Sequence, residues 1–373
     1  MHAVREWIAG WIDRLLPNSQ AVSLAILLVV GSVLVVALGN MLSPVFAAGV
    51  IAYLLEGIVS FGERRLPRLA AVVIVYLFFL ALVLFIFVAL LPMLYQQTVQ
   101  LIQQLPSWIN RAQMSVMELP QRYPTFITEA QINELITVLR RELIAWGQSL
   151  LSYSYTSLVS FITLIVYLIL VPLLVFFFLK DKDRILGWFA QYLPKDRHLS
   201  SRVWREVDAQ IGNFVRGKFF EVAVLFIVSY ATFSLMGLNY ALLLSASVGV
   251  SVLIPYVGLT VVTVPVVLVA FFQWGTDDHF WYVILAYAVL QGLHTVLLVP
   301  LLFSEVVNLH PVAIIVAVLF FGGIWGFWGV FFAIPLATLV KAVLDAWPRL
   351  GDETPRRDPV PEPPPLPVKG RHP

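Results

Sequence analysis

Side chains that can carry charge or a proton are scarce in the apolar stretches of this chain, so each one present is a candidate for chemistry. His294 lies mid-way along a hydrophobic run, three residues after Gln291 and on nearly the same helix face. Imidazole both donates and accepts, and it ordinarily changes charge near physiological pH, so His294 could sense or relay a proton. The competing expectation is a structural hydrogen bond to Gln291 or Thr295. Glu221 stands about a turn into another apolar run and is expected to pair with Arg216 or Lys218. Glu56 is within reach of Arg64, Arg65 or headgroup water. Glu305, Asn308 and His310 precede Pro311; they either guide a polar solute or cap the helix that Pro311 opens.

Hydroxyls supply a second set. Ser245, Ser247, Ser251, Thr260 and Thr263 give one segment a small, polar character, suited to a hydroxylated solute or sodium, or else to close helix contact. Gly329, Ala333 and Ala337 form a small-residue stripe that reads as packing.

Other chemistries find little support. Gly212-Asn213-Phe214-Val215-Arg216-Gly217-Lys218-Phe219 has the spacing of a phosphate-binding loop, but Phe219 replaces the Ser or Thr that would hold magnesium. The segment is better read as a basic membrane approach, with Arg216 and Lys218 at headgroups and Gly217 allowing close packing. With no cysteine, thiolate metal sites, thiol nucleophiles and disulfides are excluded. No H-E-x-x-H or G-x-S-x-G occurs. No enzymatic activity, cofactor or metal is expected, and a net charge of +2 argues against nucleic acid as a partner.

The elements that hold these residues are membrane helices. Of the 373 residues, 60% are hydrophobic and 12% charged, with mean hydropathy +0.87, far from a soluble balance. A bilayer core of about 30 Å needs roughly 20 apolar residues in a helix. Runs meeting this are 21–40, 44–62, 69–93, 157–180, 213–236, 241–272, 280–303 and 311–346. The expected fold is therefore all-α and polytopic, with about eight membrane segments. Residues 1–20 predict an amphipathic interfacial helix, 21–93 three transmembrane helices, and 157–180 a fourth. Residues 94–156 predict an external helical insert punctuated by Pro106, Pro120 and Pro124, and 181–212 a cytoplasmic amphipathic region. Residues 213–346 hold the remaining spans, and the proline-rich 351–373 predicts a disordered cytoplasmic tail.

Charge sets the orientation. Of 24 Lys and Arg residues, only Arg111, Arg122, Arg140 and Arg141 fall between the third and fourth spans. Placing that insert outside and both termini inside satisfies the positive-inside rule for a bacterial inner membrane.

Two segments are too long for simple spans. Residues 241–272 are interrupted at Pro255-Tyr256-Val257-Gly258, and 311–346 at Gly322-Gly323-Ile324-Trp325-Gly326-Phe327-Trp328-Gly329. Each is either one steeply tilted helix or a re-entrant hairpin. Broken hydrophobic segments expose backbone groups at membrane depth, tolerable only around a protein-lined or wet cavity, and so point to a transport site.

The runs Ser304-Glu305-Val306-Val307-Asn308-Leu309-His310-Pro311 and Phe321 to Leu336, with Phe214-Val215-Arg216-Gly217, the Leu253 to Gly258 break, and Gln291 followed by Pro300, resemble the autoinducer-2 exporter (AI-2E) family. The resemblance covers residues 20–350. It implies an inner-membrane transporter of eight spans, usually homo-oligomeric, with oppositely oriented hairpins. Some relatives export the furanone autoinducer-2 and others exchange sodium for protons. One departure stands out: where the family pattern has an acidic residue between Gln291 and Pro300, this chain has His294, Thr295 and Val296.

The expected function is export of a small polar solute or ion exchange by a secondary permease, with lipid as medium. A passive channel and a non-transporting scaffold are the alternatives. The candidate path between the broken segments comprises Ser251, Pro255, Tyr256, Gly258, Thr260, Gln291, His294, Asn308, His310, Gly323 and Gly326.

Overall fold

The computed structural model describes residues 19–116, 158–191, 198–255, 257–303 and 309–346, with isolated residues between 133 and 145. The expected interfacial helix up to residue 18, most of the external insert and the proline-rich tail lie outside the described residues, as do Tyr256, Glu305 and Asn308.

Among the described residues all regular structure is helical. In chain order the helices are α1 (Ser19–Gly62), α2 (Arg68–Phe85), α3 (Leu91–Val116), α4 (Leu158–Lys180), α5 (Lys182–Gln191), α6 (His198–Leu235), α7 (Ala241–Ser251), α8 (Val257–Trp274), α9 (Asp278–Leu293), α10 (Val299–Phe303), α11 (Pro311–Phe331) and α12 (Ala333–Ala346). Single π-helical turns, Ile86–Leu90 and His294–Leu298, join α2 to α3 and α9 to α10 without a break. Seven helices among the described residues are long and apolar enough to cross a membrane, which agrees with a fold of about eight segments.

Lipid as solvent explains the surface. Phe78 is 66% exposed, Ile169 63%, Leu285 63% and Leu319 71%, and many neighbours are similarly bare. In water such continuous apolar cover would drive aggregation; against acyl chains it carries no penalty.

Several boundaries differ from the sequence reading. Segments 21–40 and 44–62 are one continuous helix, α1, which passes through Pro44. An unbroken helix does not reverse, so α1 does not supply the expected outward and inward pair. Proline removes one hydrogen bond, which kinks a membrane helix without ending it. Pro106, expected to punctuate the insert, likewise lies inside α3, so the third span and residues 94–116 form one rod. The helix that carries the fifth span, α6, begins at His198, while its apolar stretch begins at Gln210, close to the expected 213.

Both long segments are re-entrant hairpins. At the mouth of the first, Asn239 N–H donates to Gln273 Oε1 at 2.8 Å and Gln273 Nε2 donates to the Gly237 carbonyl at 2.8 Å. The start of α7 and the end of α8 are therefore side by side. By helical rise, Asn239 to Ser251 and Gly258 to Gln273 span about 18 and 22 Å, each shorter than a core about 30 Å thick. At the neck, a Cβ on Gly258 would collide with the Ser251 carbonyl, so glycine is what lets the arms close.

In the second hairpin the reversal falls at Gly326, whose φ of 57° and ψ of −134° only glycine adopts comfortably. A Cβ on Gly329 would meet the Phe321 carbonyl, a contact impossible had the helix run straight on. The small-residue stripe is thus packing, with Gly329 against Phe321 and Ala333 fully buried. Because α9 and α10 cross between the two, the hairpins open on opposite sides.

Three apolar clusters hold the bundle. Leu244, Val248, Val262 and Val266 of the first hairpin pack on Leu225 and Phe233 of α6, Val283 and Tyr287 of α9, and Trp108 of α3. Trp108 stacks on Phe272 with ring centroids 4.9 Å apart, and Gln97 Oε1 accepts the Leu243 N–H at 2.9 Å, so α3 braces the hairpin. A second cluster joins α1, α2 and α4. At its end Glu56 pairs with Lys182 at 3.0 Å and Arg68 at 3.5 Å, in place of the expected Arg64 or Arg65. The third joins Phe214 and Val215 to Phe303, Ile314, Phe331 and Ile334.

Candidate functional site

Helix α7 ends at Ser251, one turn short of the break, and leaves carbonyls without intrahelical donors. One of these, Val252 O, points to α6, where Lys218 Nζ donates to it at 3.0 Å. The same ammonium donates to Glu221 Oε2 at 2.8 Å and lies 5.1 Å from the Phe303 ring centroid. A cation at a helix C-terminus is favoured by the dipole and by the ring face. The other carboxylate oxygen, Glu221 Oε1, is 2.8 Å from His294 Nε2. Lys218, Glu221 and His294 are 7%, 2% and 5% exposed.

Burying single charges at this depth is costly, and pairing with full hydrogen bonding is what makes it bearable. Glu221 faces an ammonium and accepts, so His294 Nε2–H is the donor. The ammonium and carboxylate cancel; a neutral imidazole keeps the centre neutral and leaves Nδ1 as an acceptor. That Nδ1 is buried and has no hydrogen-bond partner. His294 also opens the π-turn His294–Leu298, a local widening that often marks functional positions in helices.

These three residues line a cavity of about 360 Å³. Its remaining wall comes from α6 (Phe214), the first hairpin tip (Val252, Ile254, Pro255, Leu259), α10 and the base of the second hairpin (Ile314, Ile334). The tip of one hairpin thus meets the base of the other.

Of the residues expected on the path, Pro255 and His294 line this cavity. Ser251 and Gly258 form the neck beside it. The hydroxyls of Ser245, Ser247, Ser251 and Thr263 donate to carbonyls three or four residues earlier in their own helices. Thr260 lies on the exposed face of α8. Gln291 is a turn before His294, and both atoms of its amide are buried without a hydrogen bond. His310 caps α11, its Nδ1 accepting from Val312 N–H at 3.3 Å. Gly323 and Gly326 sit at the far tip, where Trp328 Nε1 donates to Ser43 Oγ at 2.6 Å and Gly326 borders a separate hollow with Tyr167.

The sequence reading expected the Lys218–Glu221 pair but missed that His294 joins it. His294 bonds across to α6, and not to Gln291 or Thr295, whose hydroxyl donates to Gln291 O. Lys218, expected at headgroups, is buried; Arg216 alone stays exposed, bonded to Asn213 and lying over the Tyr53 ring. A helix runs unbroken through Gly212–Lys218, so the phosphate-loop spacing forms no loop, while Gly217 admits Phe303 as close packing predicted. The acid that His294 meets comes from α6, as Glu221.

A multi-pass helical membrane protein with two opposed re-entrant hairpins meeting at buried ionisable groups has the architecture of a transporter. The family model for AI-2E family transporters matches residues 22–349, and the chain belongs to that family. PerM of Escherichia coli (strain K12), whose name is that of a permease, is 44% identical over 347 residues, 92% of this chain and 98% of PerM. YueF of Bacillus subtilis (strain 168), named as a transport protein, is 25% identical over 316 residues, 83% of this chain and 84% of YueF.

Proposed function

We propose that this chain is a secondary permease of the bacterial inner membrane that exports a small solute or exchanges ions, with the Lys218–Glu221–His294 cavity on its path. The basic segments around residues 63–68 and 180–218 and the C-terminal side face the cytoplasm in this reading, the insert after α3 faces outward, and the working unit is a homo-oligomer. The observation that carries it is the mutually compensated ion pair and imidazole, buried where a broken helix ends beside a cavity. Ionisable groups at membrane depth are functional by default because burial there is so unfavourable.

The test is efflux from proteoliposomes loaded with a labelled mixture of small metabolites and ions. Efflux above empty liposomes, lost in a folded Glu221→Gln variant, is the expected result. Folded wild-type protein that releases nothing would remove the reading.

A further inference from the structure

The cavity wall is informative about what it would hold. Apart from Lys218, Glu221, His294 and Thr295, every lining residue among the described ones is aliphatic, aromatic or proline. The polar groups are almost all satisfied. Lys218 donates to Glu221 and Val252, both Glu221 oxygens accept, and the Thr295 hydroxyl donates to Gln291 O. Among the described lining side chains one buried polar atom is left without a hydrogen bond, His294 Nδ1. A charged solute would have to open the Lys218–Glu221 pair in a low-dielectric setting to gain a counter-charge. An uncharged one would not.

The accessible edge of the cavity is mostly apolar. Ile254 is 41% exposed, and Thr295 and Pro300 are also exposed. These are lining residues, so the cavity is reached past two apolar side chains and one hydroxyl.

We infer that the cavity takes a small, uncharged, largely apolar solute bearing one hydrogen-bond donor, and that His294 Nδ1 accepts from that donor. This rests on the cavity being part of the transport path. A volume of about 360 Å³ suits a compound of one or two rings. A buried acceptor matched to a donor discriminates strongly against an analogue that lacks it, because the acceptor is then left bare.

The experiment uses three probes on one naphthalene frame: 2-naphthol, its methyl ether, which has no donor, and 2-naphthalenesulfonate, which is charged. Binding is measured on the full chain in lipid nanodiscs, with empty nanodiscs subtracted for partitioning, and efflux is measured in proteoliposomes. The expected result is that 2-naphthol binds about tenfold more tightly than the ether, roughly the worth of one buried hydrogen bond. His294→Phe should erase the difference. His294→Gln should keep most of it, since an amide can donate to Glu221 and still accept. Ile254→Trp, which narrows the accessible edge without replacing a residue of the charged centre, should weaken binding of naphthol and ether alike.

Equal binding of naphthol and ether, or a difference that survives in a folded His294→Phe variant, would overturn the role given to His294. Preference for the sulfonate would overturn the uncharged class while leaving the cavity on the path. Efflux of metabolites or ions that is untouched by Ile254→Trp and by Glu221→Gln would remove the path itself, and with it this inference.

Discussion

At the residue scale, Glu221 is the hub: it compensates Lys218 and orients His294. Glu221→Gln leaves an ammonium buried without a counter-charge, which destabilises by roughly 3–5 kcal/mol where a buried pair is broken from one side. Thermal unfolding in detergent should show a clear fall in Tm for Glu221→Gln, and a partial recovery when Lys218→Met is added. A double variant no more stable than the single one would mean that the pair is not coupled. This centre was only half legible in the sequence. His294 and Glu221 could each be singled out as ionisable groups in apolar runs, but 73 positions separate them, and periodicity along one helix reports nothing about the neighbour opposite. Lys218 was misplaced for a related reason. Starting the span near residue 213 puts it about a turn from the headgroups, whereas the apolar window begins at Gln210 and α6 itself at His198.

At the scale of elements, the hairpins were legible because their breaks are written in proline and glycine. What distinguishes a hairpin from a tilted span is a contact between residues such as Asn239 and Gln273, and single-chain patterning does not contain it. Cysteines introduced singly at 239 and 273 should react with an impermeant thiol reagent added to the same face of the membrane, a measurement helped by the native absence of cysteine. Labelling from opposite faces would contradict the hairpin. In the second hairpin, Gly326→Ala forces a side chain into a backbone region nearly exclusive to glycine, with a penalty of about 1–3 kcal/mol. Loss of Tm in that variant is expected, and an unchanged Tm would show that the turn relaxes freely. Pro106 misled the reading. It lies inside α3, as Pro44 lies inside α1, because one lost hydrogen bond does not end a helix that has neighbours to lean on.

At the scale of the molecule, composition alone required a bilayer, and the bare Phe, Ile and Leu side chains around the bundle agree. The orientation rests on the scarcity of Lys and Arg between the third and fourth spans. A reporter active only in the cytoplasm should work when inserted after Leu66 and fail when inserted near Arg122. The reverse pattern would invert the molecule. Where the solute path runs was the least legible feature. The expected path lay between the two broken segments; the cavity takes Pro255 from the first and Ile314 and Ile334 from the second, while Gly326 borders a separate hollow.

The paired hydrogen bonds of Gln273 have a mechanical corollary. A single amide ties the two ends of the first hairpin together, so opening its arms like scissors breaks two hydrogen bonds at once. Tilting or sliding the hairpin as one wedge keeps both, and its far end is moored by Lys218 through one carbonyl, Val252 O. Releasing that mooring, rather than unfolding either arm, is the least disruptive movement available to it.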